Sequence, residues 1–183
     1  DIIDNGASNL AGIELLAAET GAILISPGRN AGIAHAQNVG IEAALAAGAT
    51  HLLLFDQDSI PLPEMTDELL QGLRRLGALS PKVAAISGLY ADQRTKHRSW
   101  FFRERALGDG PDPLVSARFL IASGMLISAQ AIRDVGLMNA ELFIDHVDTE
   151  WCCRARHRGY ILAGLKRVLM HHRLGDESIT YWL

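Results

Sequence analysis

Cysteine is scarce: the 183 residues hold two, Cys152 and Cys153, side by side. Neighbours on a helix point about 100° apart, which suits neither a structural disulfide nor a four-ligand zinc site. Two unpaired, semi-buried thiols in a reducing cytoplasm are the expectation. Long apolar runs are missing too. No stretch of roughly 18 apolar residues occurs, so no transmembrane helix is expected. The first residues lack a basic segment followed by an apolar one, so no secretory leader is expected. An excess of positive charge is also lacking. The net charge of −4 and a pI near 6.0 argue against a general nucleic-acid binder. Internal repeats and low-complexity tracts are absent as well.

What is present suits one domain with a substantial core: 49% of residues are apolar and 21% charged. The first half alternates strand and helix signals, the pattern of an α/β domain with a largely parallel sheet. Ile2-Ile3 closes a strand that looks already in progress, so an earlier strand and helix are expected ahead of this sequence. A helix is predicted over residues 10–19, ended by Gly21, and a short strand over residues 22–25. Asn30 is placed as the cap of a second helix from Ala31 to about Ala47. His51 to Phe55 reads as a buried strand running into Asp56-Gln57-Asp58. A third helix follows Pro61 and Pro63, and Lys82 to Leu89 gives a further strand. Residues 91–118 lose periodicity and turn basic and aromatic (Arg94, Lys96, His97, Arg98, Trp100, Phe101, Phe102, Arg103, Arg105), the signature of a functional loop. Order resumes with Phe119 to Ser128, a short helix from Ala129, and a helix from Asp148 to Gly159. Two strand pieces, Tyr160–Leu162 and Val168–Met170, close the chain.

Four constellations carry chemistry. Asp56-Gln57-Asp58 sits at the carboxyl end of a buried strand, where open α/β sheets bind ligands. Two carboxylates in one place share a cation readily, and hard oxygen ligands favour Mg²⁺ or Mn²⁺ bridging a diphosphate. The plainer account is a solvated turn with Asp58 capping the next helix. In Asn30-Ala31-Gly32-Ile33-Ala34-His35-Ala36-Gln37-Asn38-Val39-Gly40, small residues let a helix start approach a phosphate or base edge, or serve tight packing. Asp145, Asp148 and Glu150 cluster at a helix start, as caps or as a general base, with Arg154 placed to pair with Glu150. His171-His172, before Leu174-Gly175-Asp176, offers a metal ligand or a structural histidine.

In order and spacing, the set resembles family 2 of the inverting, GT-A-type glycosyltransferases, nearest to bacterial rhamnosyltransferase-like members. The matching pieces are Ile2-Ile3-Asp4-Asn5-Gly6, the N-x-G-x-A-x-A-x-N-x-G run, Leu54-Phe55-Asp56-Gln57-Asp58-Ser59, Ser123 to Ser128, Asp148-Thr149-Glu150-Trp151 with Arg154, and His172-Arg173-Leu174-Gly175-Asp176. The resemblance implies a GT-A fold: a single Rossmann-like α/β domain over residues 1–183, its central sheet mixed and mostly parallel, its first strand missing from this chain. Residues 1–90 would form the nucleotide-binding half, 91–118 a mobile loop and 119–183 the acceptor and catalytic half. Asp4 would contact the nucleotide base, and Asn30, Gly32 and Asn38 would line its pocket. Asp58 would bind the metal, with His172 as a further ligand, and Asp56 would contact the ribose or sugar. Asp148 would be the catalytic base.

The implied reaction is metal-dependent transfer of a sugar, rhamnose among the candidates, in cell-surface polysaccharide synthesis. It would run from a dTDP- or UDP-sugar to a saccharide or lipid-linked acceptor. No nucleic-acid partner is implied, and the setting is the cytoplasm, at the inner face of the membrane if the acceptor is lipid-linked. Two other readings compete. A phosphatase of the haloacid dehalogenase type would use Asp56 as phosphoryl-accepting nucleophile, and a non-catalytic domain would only bind the sugar nucleotide.

Overall fold

A computed structural model describes residues 1–78, 80, 82–92, 98–101, 105–107 and 114–172. The chain opens with β1 (Ile2–Ile3), α1 (Leu10–Thr20) and β2 (Leu24–Ile25), and β1 pairs β2 in parallel. Gly21 ends α1 in the left-handed region, as its position predicts. Then come α2 (Ile33–Ala46), β3 (His51–Leu54), β4 (Ser59–Pro61), α3 (Met65–Gly77) and β5 (Val83–Ala91). The second half holds β6 (Arg105–Ala106), β7 (Leu114–Ser116), β8 (Met125–Ser128), α4 (Ala129–Val135), a 3₁₀ turn (Ala140–Leu142), α5 (Val147–His157) and β9 (Ile161–His172).

Among the described residues, seven strands form the main sheet in the order β3-β8-β5-β9-β7-β6, with β4 also paired to β9. The sheet is mixed, as expected, but carries more antiparallel pairing than the strand–helix alternation suggested. Of its described pairs only β5 and β9 run in parallel; β8 inserts antiparallel between β3 and β5. Period-two alternation distributes the core over both faces. On β8, Met125 and Ile127 join Ile41 of α2, Ile132 of α4 and Trp151 of α5 on one side. Leu126 points the other way, toward Met65, Leu69 and Leu76 of α3. Trp151 is fully buried and donates its indole N–H to the Gly136 carbonyl at 2.9 Å.

Several expectations are corrected. The helix placed at Ala31 begins at Ile33, after Gly32, and Asn30 does not cap it: the Asn30 side-chain oxygen accepts from Gly32 N–H at 3.0 Å. The two closing strand pieces are one twelve-residue strand, β9, in which the exposed charged pair Lys166-Arg167 forms a bulge in the pairing with β5 without ending the strand. Residues 91–118 contain order that periodicity did not signal. β5 runs on to Ala91, Ala91 bridges Arg98, and β6 and β7 extend the sheet. Phe101 is buried within the core, so part of the aromatic content is packing. The expectation of a mobile loop also rests on residues 93–97, 102–104 and 108–113, which lie outside the described residues. So does Leu174-Gly175-Asp176.

Candidate active site

The site forms where β3 ends. After Leu54 the chain leaves the sheet, and a bond from Ser59 N–H to the Asp56 carbonyl (3.1 Å) closes the Asp56-Gln57-Asp58 turn. The turn then enters β4, a strand the sequence did not announce, instead of leading directly to α3. Because β4 pairs antiparallel with the end of β9, Ser59 stands opposite His172. The register of this ladder therefore selects between the two histidines. His172 comes beside the aspartates, and His171 stands opposite Ile60. Asp58 does not cap α3, whose cap position is Glu64.

Asp56, Asp58 and His172 each offer a ligand atom, and these atoms lie within 4.8 Å of one another. The nearest approach between His172 and Asp58 is 3.4 Å, from Nδ1 to Oδ1. Burial first, and then the charges of Asp58 and Asp148, hold the Asp56 carboxyl above the usual carboxylate range, while His172 pulls the other way. A half-buried acid beside a second acid is unfavourable until a cation joins them. Two carboxylates and an imidazole make a donor set that a divalent cation such as Mn²⁺ accepts.

Two serines that the sequence reading left without a role tie this group together. Asp56 N–H donates to Ser123 Oγ at 3.2 Å, the two serine oxygens of Ser123 and Ser59 are 2.6 Å apart, and Ser59 Oγ is 2.7 Å from His172 Nδ1. The segment around Ser123 also reaches the predicted base. Ala122 N–H donates to Asp148 Oδ2 at 3.2 Å, and Gly124 N–H donates to the Leu54 carbonyl at 2.8 Å. Three consecutive residues thus join Asp148 to the turn that holds Asp56. Gly124 permits this with φ +77, in a space where a Cβ would stand 2.7 Å from the Met170 sulfur. The other Asp148 oxygen accepts from Thr149 N–H at 2.6 Å. Glu150 is committed elsewhere: it receives Arg154 Nε and Nη2 at 2.6 and 2.9 Å, as their spacing predicted. Arg154 further donates to the Val135 and Leu137 carbonyls. Asp145 is exposed.

Asp4, Asn30 and Gly32 form a second cluster. Asp4 is buried and accepts from Ser26 Oγ and Ala7 N–H, both at 2.7 Å. These bonds, the Ser26 hydroxyl foremost, hold its carboxyl below the usual range. Next to it, Asn5 accepts from Ala31 N–H at 3.0 Å and donates to Asn30 at 3.1 Å, so β1 is stitched to the loop before α2. Gly32, at φ +89, is packed against Phe143 so closely that a Cβ would lie 2.6 Å from its ring. The start of α2 is not bare, because the Phe143 carbonyl accepts from Ala34 N–H at 3.3 Å. Asn38 stands apart from this cluster. Its amide is engaged at both ends by the Met138 backbone, at 2.9 and 2.8 Å, and it braces the segment that leads toward Asp148. Cys152 is buried, with its thiol pushed up to about 12, so it is not an activated nucleophile, and Cys153 is exposed.

Solved structures share this arrangement of elements at low sequence identity. GalNAc-T7, in a structure with UDP, GalNAc and Mn²⁺, matches 93% of this chain and 36% of its own at 12% identity, TM-score 0.71. The mannosyltransferase PcManGT from Pyrobaculum calidifontis, with GDP-Man and Mn²⁺, matches 95% and 47% at 12% identity, TM-score 0.67. Staphylococcus aureus TarS, residues 1–349 with UDP, matches 92% and 49% at 10% identity, TM-score 0.65. The chain has the GT-A glycosyltransferase fold. In sequence it is 35% identical over 165 residues to a dTDP-rhamnosyl transferase, RfbF, of Shigella flexneri, across 85% of this chain. That match spans 53% of the relative, so this chain corresponds to about half of its length. No protein-family model matches the chain. Among the described residues no helix is long and apolar enough to cross a membrane.

Proposed function

We propose that this chain is the catalytic domain of a metal-dependent, inverting glycosyltransferase that takes a sugar from a nucleoside-diphosphate donor. The observation that carries this is the convergence of Asp56, Asp58 and His172 at the end of β3, in a GT-A fold. Likeness to the Shigella enzyme supports a dTDP-sugar, with rhamnose as the sugar. We assign Asp58 and His172 to the cation, which when bound neutralises charge on the diphosphate leaving group. Asp56 faces the ribose or sugar hydroxyls, Asp4, Asn30 and Gly32 form the nucleotide side, and Asn38 supports its wall. Residues 1–90 thereby serve the nucleotide, and 119–183 the acceptor and the catalysis.

In a direct displacement the acceptor hydroxyl attacks the anomeric carbon as the bond to the diphosphate breaks. Its proton must leave during the attack, and Asp148 receives it. The acceptor is a saccharide or a lipid-linked sugar, and the unpaired cysteines fit a reducing compartment, the cytoplasm. The GT-A fold removes the ground for the phosphatase reading, which rested on Leu52 to Ser59 alone. A screen of dTDP- and UDP-sugars with Mn²⁺ or Mg²⁺, read by thermal shift and by nucleotide release with saccharide acceptors, tests the proposal. Stabilisation by a dTDP-sugar with metal, followed by sugar transfer, is the expected result. Stabilisation without any transfer would favour a domain that only binds, and no stabilisation by any sugar nucleotide would refute the proposal.

A further inference from the structure

The hydroxyl pair beside His172 decides which of its ring nitrogens is free. The line Asp56 N–H, Ser123 Oγ, Ser59 Oγ, His172 Nδ1 has spacings of 3.2, 2.6 and 2.7 Å. Each hydroxyl has one proton to donate, so the line can be ordered in two ways. If the protons run toward the ring, Ser59 donates to Nδ1, the ring hydrogen sits on Nε2, and neither nitrogen keeps a lone pair for a cation. If they run away from it, Nδ1–H donates to Ser59, Ser59 donates to Ser123, the Ser123 hydrogen is left without a recorded acceptor, and the Nε2 lone pair is free. A further observation separates the two. Asp58 Oδ1 is 3.4 Å from Nδ1, and an ionised carboxylate oxygen accepts and does not donate. Nδ1 thus lies near two oxygens, and the carboxylate beside it favours a hydrogen on this nitrogen over one on Nε2.

We infer that Ser59, backed by Ser123, is a positioning residue that fixes the Nδ1–H tautomer of His172 and so presents Nε2 as the ligating nitrogen. Hydrogen bonds made by the far side of an imidazole ligand orient its ring and raise metal affinity. The geometry suits the task, because Ser123 is 1% exposed and is anchored by the Asp56 backbone. Ser59 is anchored by the ladder, in register with His172 itself. The fold thereby couples the position of the Asp56 turn to the orientation of the histidine across three strands. The inference rests on the assignment of a cation to this site only for what Nε2 meets. The tautomer is a property of the metal-free chain.

The test uses the full chain labelled with ¹⁵N-histidine, without metal, at a pH of about 8. Long-range ¹H–¹⁵N correlations identify the protonated nitrogen, with His172 assigned by loss of its signals in His172→Gln. Wild type shows the hydrogen on Nδ1. Ser59→Ala shifts the ring toward the Nε2–H form, and its Mn²⁺ affinity, measured by electron paramagnetic resonance of the free ion, falls about tenfold or more. Ser59→Thr keeps a hydroxyl and restores both readings. A wild-type ring with its hydrogen on Nε2, or a Ser59→Ala chain with unchanged tautomer and Mn²⁺ affinity, overturns the inference. If wild type binds no Mn²⁺ at all, the cation assignment fails, and the tautomer comparison still decides the role of Ser59.

Discussion

Asp148→Asn separates the chemistry proposed for Asp148 from its structural duty, and the two losses differ in size. The carboxylate has about four acceptor positions. Thr149 N–H and Thr149 Oγ occupy Oδ1 at 2.6 and 3.3 Å, and Ala122 N–H occupies Oδ2 at 3.2 Å. Oδ2 therefore keeps one lone pair, and it is the oxygen left to receive a proton. The substitution turns one of these oxygens into an NH₂ group. If the remaining carbonyl keeps Thr149, a donor meets the Ala122 donor, and a hydrogen bond to a charged group is lost at a cost of about 1–3 kcal/mol. A domain with about 5–15 kcal/mol of stability stays folded after such a loss. Removal of a general base lowers turnover by roughly 10²–10⁴, or about 2.7–5.4 kcal/mol of barrier. Unfolding of a small fraction of molecules cannot imitate a hundredfold loss. The assay is nucleotide release from a dTDP-sugar with acceptor, or slow donor hydrolysis with water in its place, alongside calorimetric affinity for the dTDP-sugar. We expect turnover to collapse with affinity nearly intact and unfolding slightly easier. Turnover within about threefold of wild type in a folded variant would rule out Asp148 as the base, as would an affinity that falls in step with turnover.

Glu150→Gln should keep turnover within a few-fold while costing about 1–3 kcal/mol of stability, because Glu150 is committed to Arg154; a collapse of turnover there would move the base assignment. Asp56→Asn should raise the melting temperature of the metal-free chain at neutral pH while weakening binding of the sugar nucleotide. The folded Asp56 carboxyl lies above its unfolded value of 3.8 because of burial and then of Asp58, so the unfolded chain ionises first and wild type loses stability as pH rises from there through the folded value. A pH–melting profile with the same slope in the variant would contradict this. Gly124→Ala should cost about 2–4 kcal/mol in urea unfolding, from positive-φ strain plus a Cβ placed 2.7 Å from Met170 and 2.8 Å from Met65; an unchanged midpoint would show that the methionines make room.

Strong local signals made much of this legible. Gly21 announced the end of α1, and the apolar run from Leu52 announced β3, although that strand stands at the end of the sheet order with only Leu52 buried rather than covered on both faces; the two aspartates follow its carboxyl end. Long-range pairing was not legible. Only the β4–β9 register sets His172 and not His171 beside Asp58, and β4 is three residues long with a proline in it. The roles of Ser59 and Ser123 depend on contacts between positions 64 residues apart, which no window of sequence contains. Asn30 was misread because Asn before a helix has two local uses, as a cap or as an acceptor within the loop, and Gly32 with its positive φ took the cap position. β6 and β7 were missed because each is only two or three residues long and β9, the strand through which they join the sheet, lies far along the chain. The resemblance implied a pocket role for Asn38, while its bonds to Met138, which span 100 positions, were beyond any local reading.

In the proposed function, the pair of aspartates and His172 bind a nucleoside diphosphate through a divalent cation. Isothermal titration of dTDP into the chain tests it most directly, with Mn²⁺, with chelator, and with Asp58→Asn under both conditions. Tight binding is expected with Mn²⁺, a loss of about tenfold or more with chelator, and an Asp58→Asn profile that is weak and nearly indifferent to metal. Equal affinity for dTDP in all four titrations would contradict it.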